Sequence, residues 1–195
     1  MQFLSDLWLA ILVTSVALFF CSFMVWAVLP HHKDDWAKLP DEDGVRQFLK
    51  GQSLPTGVYM FPKMDHKQCN TPEGKAKMKD GPMGELRIWK DRGMGGPMAG
   101  TFAVFLIASF LIAYVSWHVL RGHAGHAPAG EFVDRFQVIG TIGILTYCFS
   151  FLPNMIWFQA GKRAIVNGII DGLLYGIVTG ASFSWLWPKV VAAVP

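Results

Sequence analysis

Four stretches of the 195-residue chain are predominantly apolar, at about 7–29, 100–120, 136–158 and 164–187. A helix rising about 1.5 Å per residue needs about 20 such residues to cross a hydrocarbon core about 30 Å thick. The first two stretches carry no charged side chain, the third contains Pro153 and Asn154 near its end, and the fourth holds one charge, Asp171. Trp8, Trp26, Trp117, Trp157, Trp185 and Trp187 cluster near the predicted ends, where an amphipathic ring settles between headgroups and acyl tails. These features predict an all-α integral membrane protein of four transmembrane helices. The first stretch reads as a retained anchor: its leader has no Lys or Arg, its apolar run is too long for a signal peptide, and no A-x-A site follows.

Between the first two spans, residues 30–99 predict a small α+β extramembrane insert. Asp41, Glu42 and Asp43 after Pro40 put acids in the first turn of a helix that Gly51 can end. The β-prone run 57–61 stops at Pro62. Thr71-Pro72-Glu73 supplies an N-cap, an N1 proline and an early acid for a second helix, closed by Asp80-Gly81-Pro82. Residues 85–89 alternate and are expected to pair with the first strand. Two strands alone are marginal, so the insert is expected to lean on the membrane helices or on a partner.

Composition sharpens this division. Charged residues make up 16% of the chain and hydrophobic residues 52%, against about 25% charged in a soluble domain. Residues 30–99 hold 12 of the 17 basic and 10 of the 14 acidic side chains. An ordinary soluble enzyme and a disordered chain are both excluded. Acids and bases alternate in the insert, which argues against nucleic acid. Lys33, Lys38, Arg87, Lys90, Arg92, Lys162 and Arg163 flank the spans on the insert side, opposed by Arg121, Arg135 and Lys189. The positive-inside rule then favours a cytoplasmic insert with both termini outside. Cys69 is the one cysteine outside the spans, which rules out a disulfide within the insert; Cys21 and Cys148 read as packing residues.

The most regular pattern lies in the last span. Residues 167–180 repeat polar, glycine, apolar, apolar. Gly168, Gly172, Gly176 and Gly180 therefore form one helical stripe, with Asn167, Asp171, Tyr175 and Thr179 beside it. Small residues allow close backbone contact, which drives helix association in lipid. The ladder is expected to pack on the chain's own helices, with Gly140 and Gly143 as partners, or alternatively on another subunit. Asp171 is expected to face the bundle, as a strut bonded to Tyr147, Asn154 or a basic group, or alternatively as part of a proton or ion relay.

None of the six histidines lies within a span, which disfavours a bis-histidine haem. His31 and His32 with Asp34, or His118 with His123 and His126, could supply imidazole and carboxylate ligands to a metal. The two groups fall on opposite membrane faces, so they cannot form one site, and neither spacing matches an established metal motif. No phosphate-loop, dinucleotide-binding, Cys-x-x-Cys or Gly-x-Ser-x-Gly signature occurs.

The segment Leu29-Pro30-His31-His32-Lys33-Asp34-Asp35-Trp36, continued by Leu39-Pro40-Asp41-Glu42-Asp43, resembles a group of uncharacterised bacterial inner-membrane proteins. Gly81-Pro82-Met83-Gly84 and Pro153-Asn154-Met155-Ile156-Trp157-Phe158 share the resemblance. It runs along nearly the whole chain and implies four helices with a long first loop, but brings no activity with it. The sequence therefore predicts a structural or accessory subunit of a membrane complex or homo-oligomer, with bound lipid and no organic cofactor. The alternative is a small metal-dependent membrane enzyme or an ion- or proton-coupled transporter using Asp171 and one histidine group.

Overall fold

The computed structural model describes residues 2–90, 93–120 and 131–188. Four helical segments are long and apolar enough to cross a membrane: Gln2–Val28, Gly95–Leu120, Phe132–Trp157 and Lys162–Leu186. Only 22–39% of their most apolar windows is buried inside the protein, so side chains such as Phe20, Ile107, Leu111 and Ile177 lie exposed. Water would not tolerate so much contiguous apolar surface. The architecture is that of a multi-pass membrane protein.

Two compact units divide the chain, one formed by Met1–Ala37 with Met94–Pro195 and the other by Lys38–Gly93. The smaller unit is the expected α+β insert. Helix α2 (Glu42–Gly51) is capped by Asp41, which accepts from the Gly44 amide at 3.0 Å. Strand β1 (Gly57–Phe61) pairs antiparallel with β2 (Gly84–Ile88), Tyr59 standing opposite Leu86. Between them lie α3 (His66–Cys69), a single turn absent from the sequence reading, and α4 (Pro72–Asp80). Asp65 and Gln68 close a reciprocal capping box on α3, which is how so short a helix satisfies its free amides.

In the larger unit, α1 (Gln2–Phe23), α5 (Gly95–Leu120), α6 (Phe132–Tyr147) and α8 (Lys162–Leu186) form the bundle. The third span is broken: α6 stops at Tyr147, and the short α7 (Leu152–Trp157) resumes after four residues. Pro153 explains the break, because it lacks an amide hydrogen and its ring would clash with the Phe149 carbonyl one turn earlier. Segment 30–37, assigned to the insert by its polarity, belongs instead with the bundle.

The most extensive helix pairing is α6 with α8, and α1 packs on both α5 and α8. The glycine ladder supplies the α6–α8 contact. A methyl group added at Gly172 would sit 2.5 Å from Cys148 Cα, one at Gly176 2.8 Å from the Ile144 backbone nitrogen, and one at Gly180 2.9 Å from Gly140 Cα. Gly143 faces Gly176 in return, and Gly168 lies under the Phe151 ring. Asn167, Asp171, Tyr175 and Thr179 are all buried, while Val166, Ile170, Leu173 and Ile177 are exposed. Leu7, Ile11, Ile112, Ile139 and Phe183 fill the core towards one end, and Leu18, Val25, Phe105 and Tyr175 towards the other.

Because the atoms facing Gly172 and Gly176 include the backbone of Cys148 and Ile144, a rotamer change cannot clear them all. Gly176→Ala should lower stability by about 1–3 kcal/mol, the cost of overpacking. Gly161→Ala, with nothing within 4 Å, should leave it nearly unchanged. Thermal unfolding in detergent separates the two.

Candidate metal centre

Asp171 lies about two and a half turns inside α8 and is only 5% exposed. An acid at such depth needs partners, since placing one at the centre of a spanning helix costs about 2.5–3.5 kcal/mol by insertion scales. Its partners come from the far end of α1. There the helix widens into a π-helical turn, Met24–Val28, closed by the Leu29 amide donating to the Met24 carbonyl at 2.9 Å. Leu29 is extended, as the residue before a proline prefers. Pro30 then opens a 3-10 turn carrying His31 and His32.

Both histidines turn inward. His31 Nε2 lies 3.1 Å from Asp171 Oδ1, and His32 Nε2 lies 2.8 Å from Asp171 Oδ2. His32 Nδ1 meets Asp35 Oδ2 at 2.6 Å. The Asn167 amide donates both to the His31 carbonyl and to Asp35 Oδ1, each at 2.8 Å, and so ties segment 31–35 to α8. The indole of Trp26 stacks on the His32 ring, centroids 3.8 Å apart and planes within 6°. Arg163 pairs with Asp34 at 3.2 Å near the surface.

His32 thus stands between two carboxylates, at 5% exposure. With both acids ionised, each ring nitrogen must donate, which describes an imidazolium. Burial pulls its pKa down, but the hydrogen bonds to Asp35 and Asp171 and the charges of both acids more than reverse this, leaving it above the ordinary value.

The same geometry suits a cation. One donor atom each from His31, His32 and Asp171 lies within 4.8 Å of the others. Around a tetrahedral ion with bonds of about 2.0–2.1 Å, ligand atoms sit about 3.3 Å apart. The observed 3.1 and 2.8 Å run to the two different oxygens of Asp171, so the carboxylate would turn one or both of them to an ion shared with the two imidazoles. With a metal on Nε2, the His32 Nδ1–H would still donate to Asp35, an arrangement that fixes the tautomer and orients the ring of a ligating histidine. His32, Asp35 and Asp171 also line a cavity of about 430 Å³.

The sequence-predicted residues scatter around this centre. His31 and His32 are joined by Asp171, not by Asp34, whose carboxylate goes to Arg163. Tyr147 lines the cavity, whereas Asn154 is exposed on α7. His118 is exposed at the end of α5 with its ring against Tyr114; His123 and His126 lie outside the described residues. Asp35 and Trp26 were missed as site residues. The i,i+3 spacing of His32 and Asp35 was the available signal for the first. No protein family, curated protein or solved structure matches this chain.

In chelator-treated protein the His32 imidazole should titrate above about 6.5, the ordinary histidine value. A raised folded-state pKa means that its stabilising contribution is complete below the unfolded value and is lost as pH rises through the folded one. Nitrogen-15 titration of labelled histidine, beside thermal unfolding between pH 6 and 9, measures both. Asp35→Asn should lower the imidazole pKa.

Proposed function

We propose that this chain is a multi-pass membrane metalloprotein, with a divalent transition-metal ion held by His31 Nε2, His32 Nε2 and the Asp171 carboxylate. One observation carries the reading: residues about 140 positions apart in sequence converge as three ligating groups, two of them buried, in a protein otherwise poor in charge. Imidazole with carboxylate favours zinc, iron, copper or nickel over magnesium or calcium. Three protein ligands leave a coordination position open, as in hydrolytic zinc and non-haem iron centres, whereas purely structural zinc sites are closed by four. The cavity beside His32 and Asp171 supplies the space for a bound water or substrate. This makes the centre enzyme-like.

The subunit reading loses its main support, because the glycine ladder is already occupied by α6 of the same chain. The basic residues around the insert-side span ends support a cytoplasmic position for the insert, and for the centre at the same end of the first span.

Purified protein should carry about one equivalent of transition metal by elemental analysis, or take up one equivalent of Co(II) after chelation. His31→Ala, His32→Ala and Asp171→Ala should abolish uptake. Asp35→Asn should weaken it about 10–100-fold, the usual effect of losing the partner of a ligating histidine. His118→Ala should bind as the parent does. A folded protein that takes up no metal under any of these conditions would falsify the proposal.

A further inference from the structure

We infer that the centre acts on a lipid-borne amphiphile, with an oxygen-donor head at the metal's open position and an apolar chain laid between α5 and α6. The inference rests on the metal reading above. It starts from the lining of the cavity, where ionic side chains meet largely apolar walls. His32, Asp35 and Asp171 are the ionic part, while Val104, Ala108, Phe151 and Met155 belong to the apolar walls. Its volume of about 430 Å³ falls within the range of small-molecule sites.

The cavity does not end there. Val104, Ala108 and Thr146 also wall a second hollow of about 330 Å³, which continues along Ile107, Leu111, Val115 and Ile142. Val104 to Val115 covers about 16 Å of helix, all of it within the second candidate span. The hollow is therefore an apolar groove open to lipid along about half the depth of the hydrocarbon core, leading to the one buried ionic cluster among the described residues. A water-soluble substrate would gain nothing from such a groove. A chain-bearing one would bury its chain there while its head reaches the ion.

Tyr175 also lines the cavity at the centre. The Tyr175 hydroxyl is buried in the cavity wall and has no hydrogen-bond partner among the described residues, although Ser22 and Trp26 approach it. A buried hydroxyl is ordinarily paired. One turn from Asp171 on α8, it can donate to the oxygen-donor head and fix its orientation.

Alkyl hydroxamates test this directly, because their head ligates metal and their chain can be varied. Co(II)-loaded protein in phosphatidylcholine nanodiscs is titrated with acetohydroxamate and with dodecanohydroxamate, following the cobalt absorption bands. The same is done with Leu111→Trp, which fills the second hollow and lies outside the lining of the cavity at the centre. Both proteins share one bilayer, so membrane partitioning of the long chain cancels between them. The long chain should bind the parent about tenfold tighter than the variant, the scale of an overpacking clash between the Trp ring and the chain, while acetohydroxamate binds both alike. Val115→Trp, on the same hollow, should repeat the loss, and an unchanged cobalt spectrum shows that either variant is folded. Equal dodecanohydroxamate affinity in all three proteins overturns the inference while leaving the metal reading intact. The groove then holds ordinary bilayer lipid. Failure to bind Co(II) removes the metal reading instead, and the inference with it.

Discussion

A carboxylate in the membrane-spanning part of a helix must be given partners, and much of the functional end of this protein follows from supplying them to Asp171. Lipid offers no hydrogen bonds, so the bundle provides them itself. The last turn of α1 widens, an extended Leu29 ends the helix before the Pro30 turn, and two imidazoles are delivered to the two oxygens of one carboxylate. Asp35 and Asn167 then hold that segment in place. A π-helical turn at such a position is in keeping with where these irregularities occur, at functional sites.

The glycine ladder serves the same end indirectly. By letting α6 and α8 approach to backbone contact, it fixes the rotation of α8 and so turns the adjoining stripe of Asn167, Asp171, Tyr175 and Thr179 into the bundle. Bulkier residues on the ladder would separate the helices and open the polar stripe to lipid. Small side chains here are thus a condition for the site as well as for the packing.

The break in the third span has the opposite effect, leaving room where the ladder removes it. Where α6 stops before Pro153, Ser150 and Phe151 become part of the cavity wall beside Asp171. A continuous helix would have carried those side chains on around its axis. Close packing of α8 on α6 at Gly176 and Gly180, and a cavity lined in part by Gly168 and Gly172 near the break, leave the ionic cluster buried yet reachable.

Much of this fold was legible in the chain itself. Lengths and polarity of the apolar runs defined four spans, because lipid imposes a minimum span that few other structures require. Capping residues marked α2 and α4, and the four-residue period of 167–180 marked the inward face of α8, since these signals depend on neighbours in sequence. The break after Tyr147 was foreshadowed by Pro153 but not placed. The centre was legible only in part: Asp171 with one histidine group stood as the alternative reading, but His31 and Asp171 are about 140 residues apart, so nothing local chose between the two groups, and Asp34 and Asp35 look equally suited to the histidines. Only the tertiary structure decided that Asp34 goes to Arg163, that Asp35 goes to His32, and that Asp171 closes the group. That choice depends on the direction of the chain after a proline-set turn and on the rotation of α8 against α6, and both are settled by packing between elements distant in the chain.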